Sequence, residues 1–223
     1  MQKHVIIVAG GSGMRMKQAV PKQFIKILEK PIVVHTIEAF FLYDPLINII
    51  LVLPQAHRST WEEIHQQYLP HIQIAVALGG NTRFQSVKSG LQQVSDGYVA
   101  IHDAVRPLVS AKTIASSFES AQNYGSGVAM VPLKDSIRQI SNDHTKADDR
   151  SKFLLVQTPQ TFRVSEIQKA FELKESSSFT DDASVYEAAG MTVLVTEGEY
   201  SNIKITTPED LLVAETLLKF SKK

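Results

Sequence analysis

The chain has 223 residues, and an apolar share of 43% is enough to build the core of one large domain. Lysine plus arginine equals aspartate plus glutamate at 23 each, so the net charge is zero. That argues against a general nucleic-acid or membrane-surface binder and leaves room for a local basic pocket. No cysteine is present, which removes disulfides, thiolate metal ligands and a cysteine nucleophile. No apolar run is long enough to span a bilayer and no cleavable leader precedes the first strand, so a cytoplasmic protein is expected.

The first element is a four-residue apolar strand, Val5 to Val8. It runs into Ala9, Gly10, Gly11, Ser12 and Gly13, too poor in side chains to be core. Glycines there let the backbone approach a ligand, and exposed amides in such a loop suit phosphate. Arg15 and Lys22 flank the loop, and a polyphosphate would use both cations. Spacing excludes two familiar motifs. Met14 and Arg15 stand where a Walker loop needs Lys-Ser/Thr, and Met16 stands where the dinucleotide fingerprint needs its third glycine. Gly-x-Gly-x-Arg with a later Pro-Lys instead resembles the signature of nucleotidyltransferases.

Further along, Pro31 to Phe41 reads as a helix with proline at its start, and Ile47 to Leu53 as a strand buried on both faces. A helix over His57 to Tyr68, a strand over Ile72 to Leu78 and a helix over Thr82 to Val94 follow. Tyr98 to His102 is a short strand ending at Asp103, Ser110 to Asn123 a helix, and Gly127 to Leu133 a strand. This alternation predicts an α/β fold with a doubly wound, mostly parallel sheet (Rossmann-like) in a single domain over residues 1–223. Ligands in such folds sit beyond the carboxyl ends of strands, where the glycine loop, the GGNTR turn and the HDAVRP turn converge.

The pattern breaks over residues 135–157. SIRQI and FLLV read as two strands of a projecting β-arm joined by a polar tip. An isolated ribbon needs a surface to pack on, so a homodimer through the arm is expected, against the alternative of a ribbon folded back on its own domain. TPQTF, a helix near Ser165 to Lys174, FTDDAS, a strand over Thr192 to Val195, an apolar strand in SNIKIT and a final helix from Pro208 complete the chain.

Among candidate chemical residues, Asp103 at a strand's carboxyl end is placed to hold Mg²⁺ or another divalent cation, or to cap the next turn. Arg106 reads either as a phosphate clamp or as an ordinary surface arginine. Strand alternation turns His102 away from Asp103, which favours a packed histidine. Asn81 or Thr82 caps the helix after GGNTR, and the turn suits a flat base edge. Asp181 and Asp182 precede a short helix, where acids more often serve the dipole than acid–base chemistry. Lys204 either faces a site or snorkels.

Taken together, AGGSGMRM, PKQF, GGNTRFQSV, HDAVRP, DRSKFLLVQTPQTF, FTDDAS and SNIKITTPEDL span nearly the whole chain in order. The ensemble closely resembles the 2-C-methyl-D-erythritol 4-phosphate cytidylyltransferases, with ribitol-5-phosphate cytidylyltransferase the nearest relative in another pathway. The resemblance implies attack of a sugar-alcohol phosphate on the α-phosphorus of CTP, releasing pyrophosphate. It also implies that Arg15 and Lys22 stabilise the transition state, and that Ala9, Gly11, Gly80, Asn81 and Ser86 hold the nucleotide, with Gly10, Ser12 and Gly13 in the same loop. Asp103, Arg106, Ser136, Arg150, Thr158, Thr180 and Lys204 match the contacts of the second substrate. Asp103 and Lys204 would also serve the nucleotide, and Arg150 would reach the neighbouring subunit's site. Three positions depart from the common pattern: Asn81 for an acid, Ser136 for threonine and Ser201 for aspartate.

Overall fold

Strand β1 (Lys3–Val8) lies parallel between its neighbours, pairing Val5 with Ile49 on one side and Ala100 on the other. Its four central residues are buried because helices cover both faces of the sheet. The computed structural model describes residues 1–10 and 20–221. After β1 come a short hairpin, β2 (Lys26–Ile27) and β3 (Lys30–Pro31), and helix α1 (Ile32–Tyr43). Pro31 sits at the N-cap of α1 rather than inside the helix. Strand β4 (Asn48–Leu53), helix α2 (Arg58–Tyr68), strand β5 (Ile74–Leu78), helix α3 (Arg83–Leu91) and strand β6 (Tyr98–Asp103) follow. Then come helix α4 (Ala111–Tyr124) and strand β7 (Ser126–Pro132).

Strand alternation sorts the core into two layers. Val5 and Ile7 of β1, with Leu51 of β4 and Ala100 of β6, pack against Phe40 of α1, Trp61 of α2 and Phe118 of α4. Ile6, Val52, Val99 and Ile101 point the other way, against Val87 and Leu91 of α3. Gly90 lets α3 approach the sheet closely: a Cβ there would lie 2.8 Å from Ile6 Cγ2 and 3.0 Å from Val52 Cγ2. This contact sets the start of α3 over the carboxyl ends of β1 and β4.

The second half departs from simple alternation. The ribbon of the arm is β8 (Ile137–Ser141) and β9 (His144–Asp148), with Ile137 opposite Asp148. Its second strand is therefore the polar HTKAD segment, not FLLV. The last three residues of FLLV, Leu154 to Val156, instead open the ten-residue β10 (Leu154–Arg163), which runs antiparallel between β6 and β7. TPQTF belongs to this strand, and its ladder with β7 is irregular between Val156 and Gln160. Helices α5 (Val164–Ala170) and α6 (Asp182–Ala188) then pack on the α3 face, with Ile167 and Tyr186 buried. The edge strand β11 (Val195–Glu197) begins where the sequence reading ends one, because its ladder partner is Val128 to Met130. Among the described residues the sheet has the order β11-β7-β10-β6-β1-β4-β5.

SNIKIT is not a strand. It starts in a turn, carries no ladder and is tied by Ile205 N–H to the carbonyl of Val105 at 2.9 Å. Ile205 joins Val105, Ile27 and Ile32 in a small third cluster, covered by Ala214 and Leu218 of helix α7 (Pro208–Ser221). Burying Ile203 in part and Ile205 fully pins Lys204 between them at the rim of the sheet. No helix among the described residues is long and apolar enough to cross a membrane.

Candidate active site

The carboxyl ends of β1, β5 and β6 open onto a cavity lined by Ala9, Gly10, Lys22, Gly80, Asn81, Ser86, Asp103 and Lys204, with Gln23, Thr82 and Arg83 among them. A second cavity adjoins it, lined by Asp103, Arg106, Gln157, Thr158, Gln160, Thr180, Asp181 and Lys204, again with Arg83. Asp103, Arg83 and Lys204 line both and form the wall between them. Ser136 and Arg150 line neither cavity; both are exposed near the root of the arm, where Arg150 donates to the carbonyl of Lys134. Gly11, Ser12, Gly13 and Arg15 lie outside the described residues.

Each wall has a local cause. Gln23, buried in the turn after Pro21, donates to the carbonyl of Ala9 at 2.9 Å and docks Lys22's segment on the end of β1. Across the first cavity, Thr82 is the N-cap of α3 and accepts from Gln85 N–H. Ser86 Oγ donates to the Thr82 carbonyl and accepts from Gly80 N–H at 3.2 Å. The Asn81 amide is held by Gln85 Oε1 at 3.0 Å.

Asp103 ends β6 on the face opposite His102. Its Oδ2 lies 3.0 Å from Lys204 Nζ and 3.3 Å from Arg106 Nε, and its Oδ1 lies 3.9 Å from Arg83 Nε. Burial alone would raise this carboxyl, but Arg83, Lys204 and Arg106 hold it well below the usual carboxylate range. Arg106 is buried, donating also to the carbonyl of Asn202 at 2.8 Å, so it is no ordinary surface arginine. The cavities accordingly carry more fixed positive charge than negative, despite a neutral chain.

His102 is fully buried against Phe40, with ring centroids 4.9 Å apart. Its Nε2 lies 3.2 Å from the Arg106 carbonyl and its Nδ1 3.0 Å from Thr158 Oγ1, which accepts from Asp103 N–H at 3.1 Å. Burial brings the imidazole down to about 4. A neutral ring that donates from Nε2 and accepts at Nδ1 satisfies every bond, so His102 braces the site from the core side. Asp181 is the N-cap of α6 in a capping box with Ser184, which bears out its dipole role. Asp182, by contrast, receives a bidentate ion pair from Arg83, at 2.7 and 2.6 Å.

Arg83 and Gln23, with Gln157 and Gln160 in the second cavity, are the polar lining residues that sequence reasoning misses. A signal for Arg83 does exist: a cation at the first residue of a helix opposes the dipole and needs a carboxylate from elsewhere. Burial disfavours the charge of this guanidinium, and Asp182 more than offsets it. Gln23 carries no such mark.

A cleft with turn amides on one side, lysines and arginines on the other and an adjoining basic cavity suits a nucleoside triphosphate beside a second phosphate. The fold and the position of the cleft are those expected of an α/β nucleotidyltransferase. Comparison with known proteins sharpens this. A model of the 2-C-methyl-D-erythritol 4-phosphate cytidylyltransferase family matches residues 3–220, and the chain belongs to that family. It is an enzyme of CTP-dependent cytidylylation of 2-C-methyl-D-erythritol 4-phosphate in the non-mevalonate pathway. The enzyme of that name from Azobacteroides pseudotrichonymphae is 48% identical over 219 residues, 97% of this chain and 99% of the relative. That from Phocaeicola vulgatus is 42% identical, over 98% of this chain and 100% of the relative. Among solved structures, the Thermus thermophilus enzyme superposes with a TM-score of 0.80 at 29% identity, covering 98% of this chain and 100% of that one. The synthase from Anaerococcus prevotii gives 0.83 at 27% identity, over 98% of both chains.

Proposed function

We propose that the first cavity holds CTP and the second holds 2-C-methyl-D-erythritol 4-phosphate, with the Asp103–Lys204 pair at their boundary where the reaction occurs. The observation that carries this reading is the shared wall: the same three charged side chains border both cavities. A phosphate oxygen of the second substrate attacks the α-phosphorus of CTP. The new P–O bond forms as the bond from that phosphorus to the bridging oxygen breaks, and pyrophosphate leaves. No side chain is covalently modified, so the protein's work is orientation and charge stabilisation.

In this reading Gly80, Asn81 and Ser86 receive the cytidine, and Ala9 and Gly10, with Gly11, Ser12 and Gly13, face the phosphates. Lys22 and Arg15 counter the charge that builds on the triphosphate in the transition state. Arg106, Thr180 and Lys204 hold the second substrate's phosphate end, in the cavity that Thr158 also lines. A divalent cation fits only in company with the nucleotide, because the described residues contain no cluster of three carboxylate or histidine ligands. Asp103 would contribute Oδ1, since Lys204 and Arg106 make their closest approach to Oδ2 and Arg83 stays 3.9 Å away. Bound there through phosphate oxygens, the ion would supply further charge neutralisation.

The arm serves a homodimer. Ile140 on β8 and the run Phe153 to Val156 are exposed apolar residues, which a second copy of the chain would cover while bringing its Arg150 to the neighbouring site. Pyrophosphate release measured with CTP and 2-C-methyl-D-erythritol 4-phosphate tests the assignment of the first cavity. Lys22→Ala lowers kcat by about a hundredfold or more, the usual cost of a lost transition-state donor; an unchanged kcat would remove Lys22 from the reaction.

A further inference from the structure

The first turn of α3 does more than line the nucleotide cavity. Its three consecutive residues Arg83, Phe84 and Gln85 each reach a different part of the stretch from Phe171 to Asp182. Arg83 makes the bidentate pair with Asp182, whose side chain is only 1% exposed. Phe84 stacks on Phe171 and on Phe179, with ring centroids 4.7 and 5.8 Å apart. Gln85 Nε2 donates to Glu175 Oε2 at 3.0 Å while its Oε1 holds the Asn81 amide. The stretch so gripped carries Thr180, which lines the second cavity. One rigid helical turn, fixed between Thr82 and Ser86 on the nucleotide side, therefore also sets the position of a wall on the other side.

We propose that Arg83 is a positioning residue that couples the two cavities, so that a nucleotide held by the GGNT turn improves binding of the second substrate through the Arg83–Asp182 pair. The inference rests on the assignment of the two cavities given above. Asp182 lines neither of them, so any effect of its replacement on the second substrate must travel through the elements it ties together. A planar guanidinium is suited to this role, because two parallel bonds fix an angle as well as a distance.

The test is calorimetry with 2-C-methyl-D-erythritol 4-phosphate, titrated into the enzyme alone and into enzyme saturated with α,β-methylene CTP, which cannot transfer its cytidylyl group. In the wild type the analogue tightens the second ligand by about fivefold or more. In Asp182→Asn that factor falls to within about twofold of unity, while the analogue's own Kd stays within about threefold of wild type. A purely structural role would weaken both ligands in parallel. The coupling proposal is overturned by that parallel loss, by a factor that survives in Asp182→Asn, or by a wild type that shows none. If circular dichroism shows Asp182→Asn unfolded, Asp182→Glu, which keeps the buried counter-charge and displaces the fork, is held to the same criteria. Analogue binding that ignores Lys22→Ala would instead sink the nucleotide assignment, and the coupling with it. Binding that needs Lys22 but shows no coupling sinks the coupling alone.

Discussion

Lys204 Nζ stands 3.0 Å from Asp103 Oδ2, joining the end of the central strand β6 to the irregular segment that precedes α7. The two partners sit in unlike surroundings. Asp103 is buried and neutralises Arg106 and Arg83 as well, whereas the Lys204 side chain is 40% exposed at the rim. Asp103→Ala therefore leaves a buried arginine without its counter-charge and lowers unfolding free energy by about 3–5 kcal/mol in urea titrations. Lys204→Ala changes stability by less than about 1 kcal/mol, as for exposed pairs, yet lowers kcat/KM by about tenfold or more.

His102 gives the fold a defined acid sensitivity. The unfolded chain takes up a proton near the ordinary imidazole value of 6.5, but the folded chain holds off until about 4. The unfolded state thus binds more protons in that window, and stability falls as pH drops through it, by about 3 kcal/mol in total. His102→Gln flattens the slope of unfolding free energy between pH 6.5 and 4. His4, also brought down by its burial, supplies a smaller part of the same slope.

Gly80 has no room for a side chain. A Cβ there would lie 2.4 Å from Gln85 Cβ and 2.8 Å from Gln85 Oε1. Gly80→Ala must move the turn or break the Gln85 bond to Asn81, so it raises KM for CTP by about tenfold while leaving thermal unfolding within a few degrees. Steady-state kinetics at saturating second substrate checks this.

Arg150 offers a test of the dimer that needs no structure. Arg150→Ala and Lys22→Ala each impair turnover alone. If Arg150 serves the neighbouring site, mixed dimers of the two variants regain one intact site apiece, and an equimolar mixture recovers about a quarter of wild-type sites. An arm that serves its own chain gives no recovery on mixing.

Much of the site can be read from residues close together in the chain. Val5 to Val8, Ile47 to Leu53 and the helix after GGNT declare themselves through apolar runs, glycines and a cap. Strand alternation alone assigns His102 and Asp103 to opposite faces, and the structure puts one against Phe40 and the other at the cleft. Where local reading fails, the deciding partner lies far away. SNIKIT has the pattern of a strand, but no neighbouring strand pairs with it, and Val105 and α7 claim its isoleucines. FLLV has arm-like neighbours, yet SIRQI pairs with HTKAD instead and leaves Leu154, Leu155 and Val156 to the ladder with β7.

What local sequence determined, then, is the order of strands and helices and the chemistry of each turn, because capping, glycine conformation and two-residue periodicity act over a few residues. Only the tertiary structure decided which side chains pair across the cleft where those turns meet. The bond from Gln23 to Ala9, the fork from Arg83 to Asp182 and the three cations around Asp103 all join distant segments. Such pairs exist only once the two helical layers close on the sheet, since in the open chain water and entropy outweigh each of them taken singly.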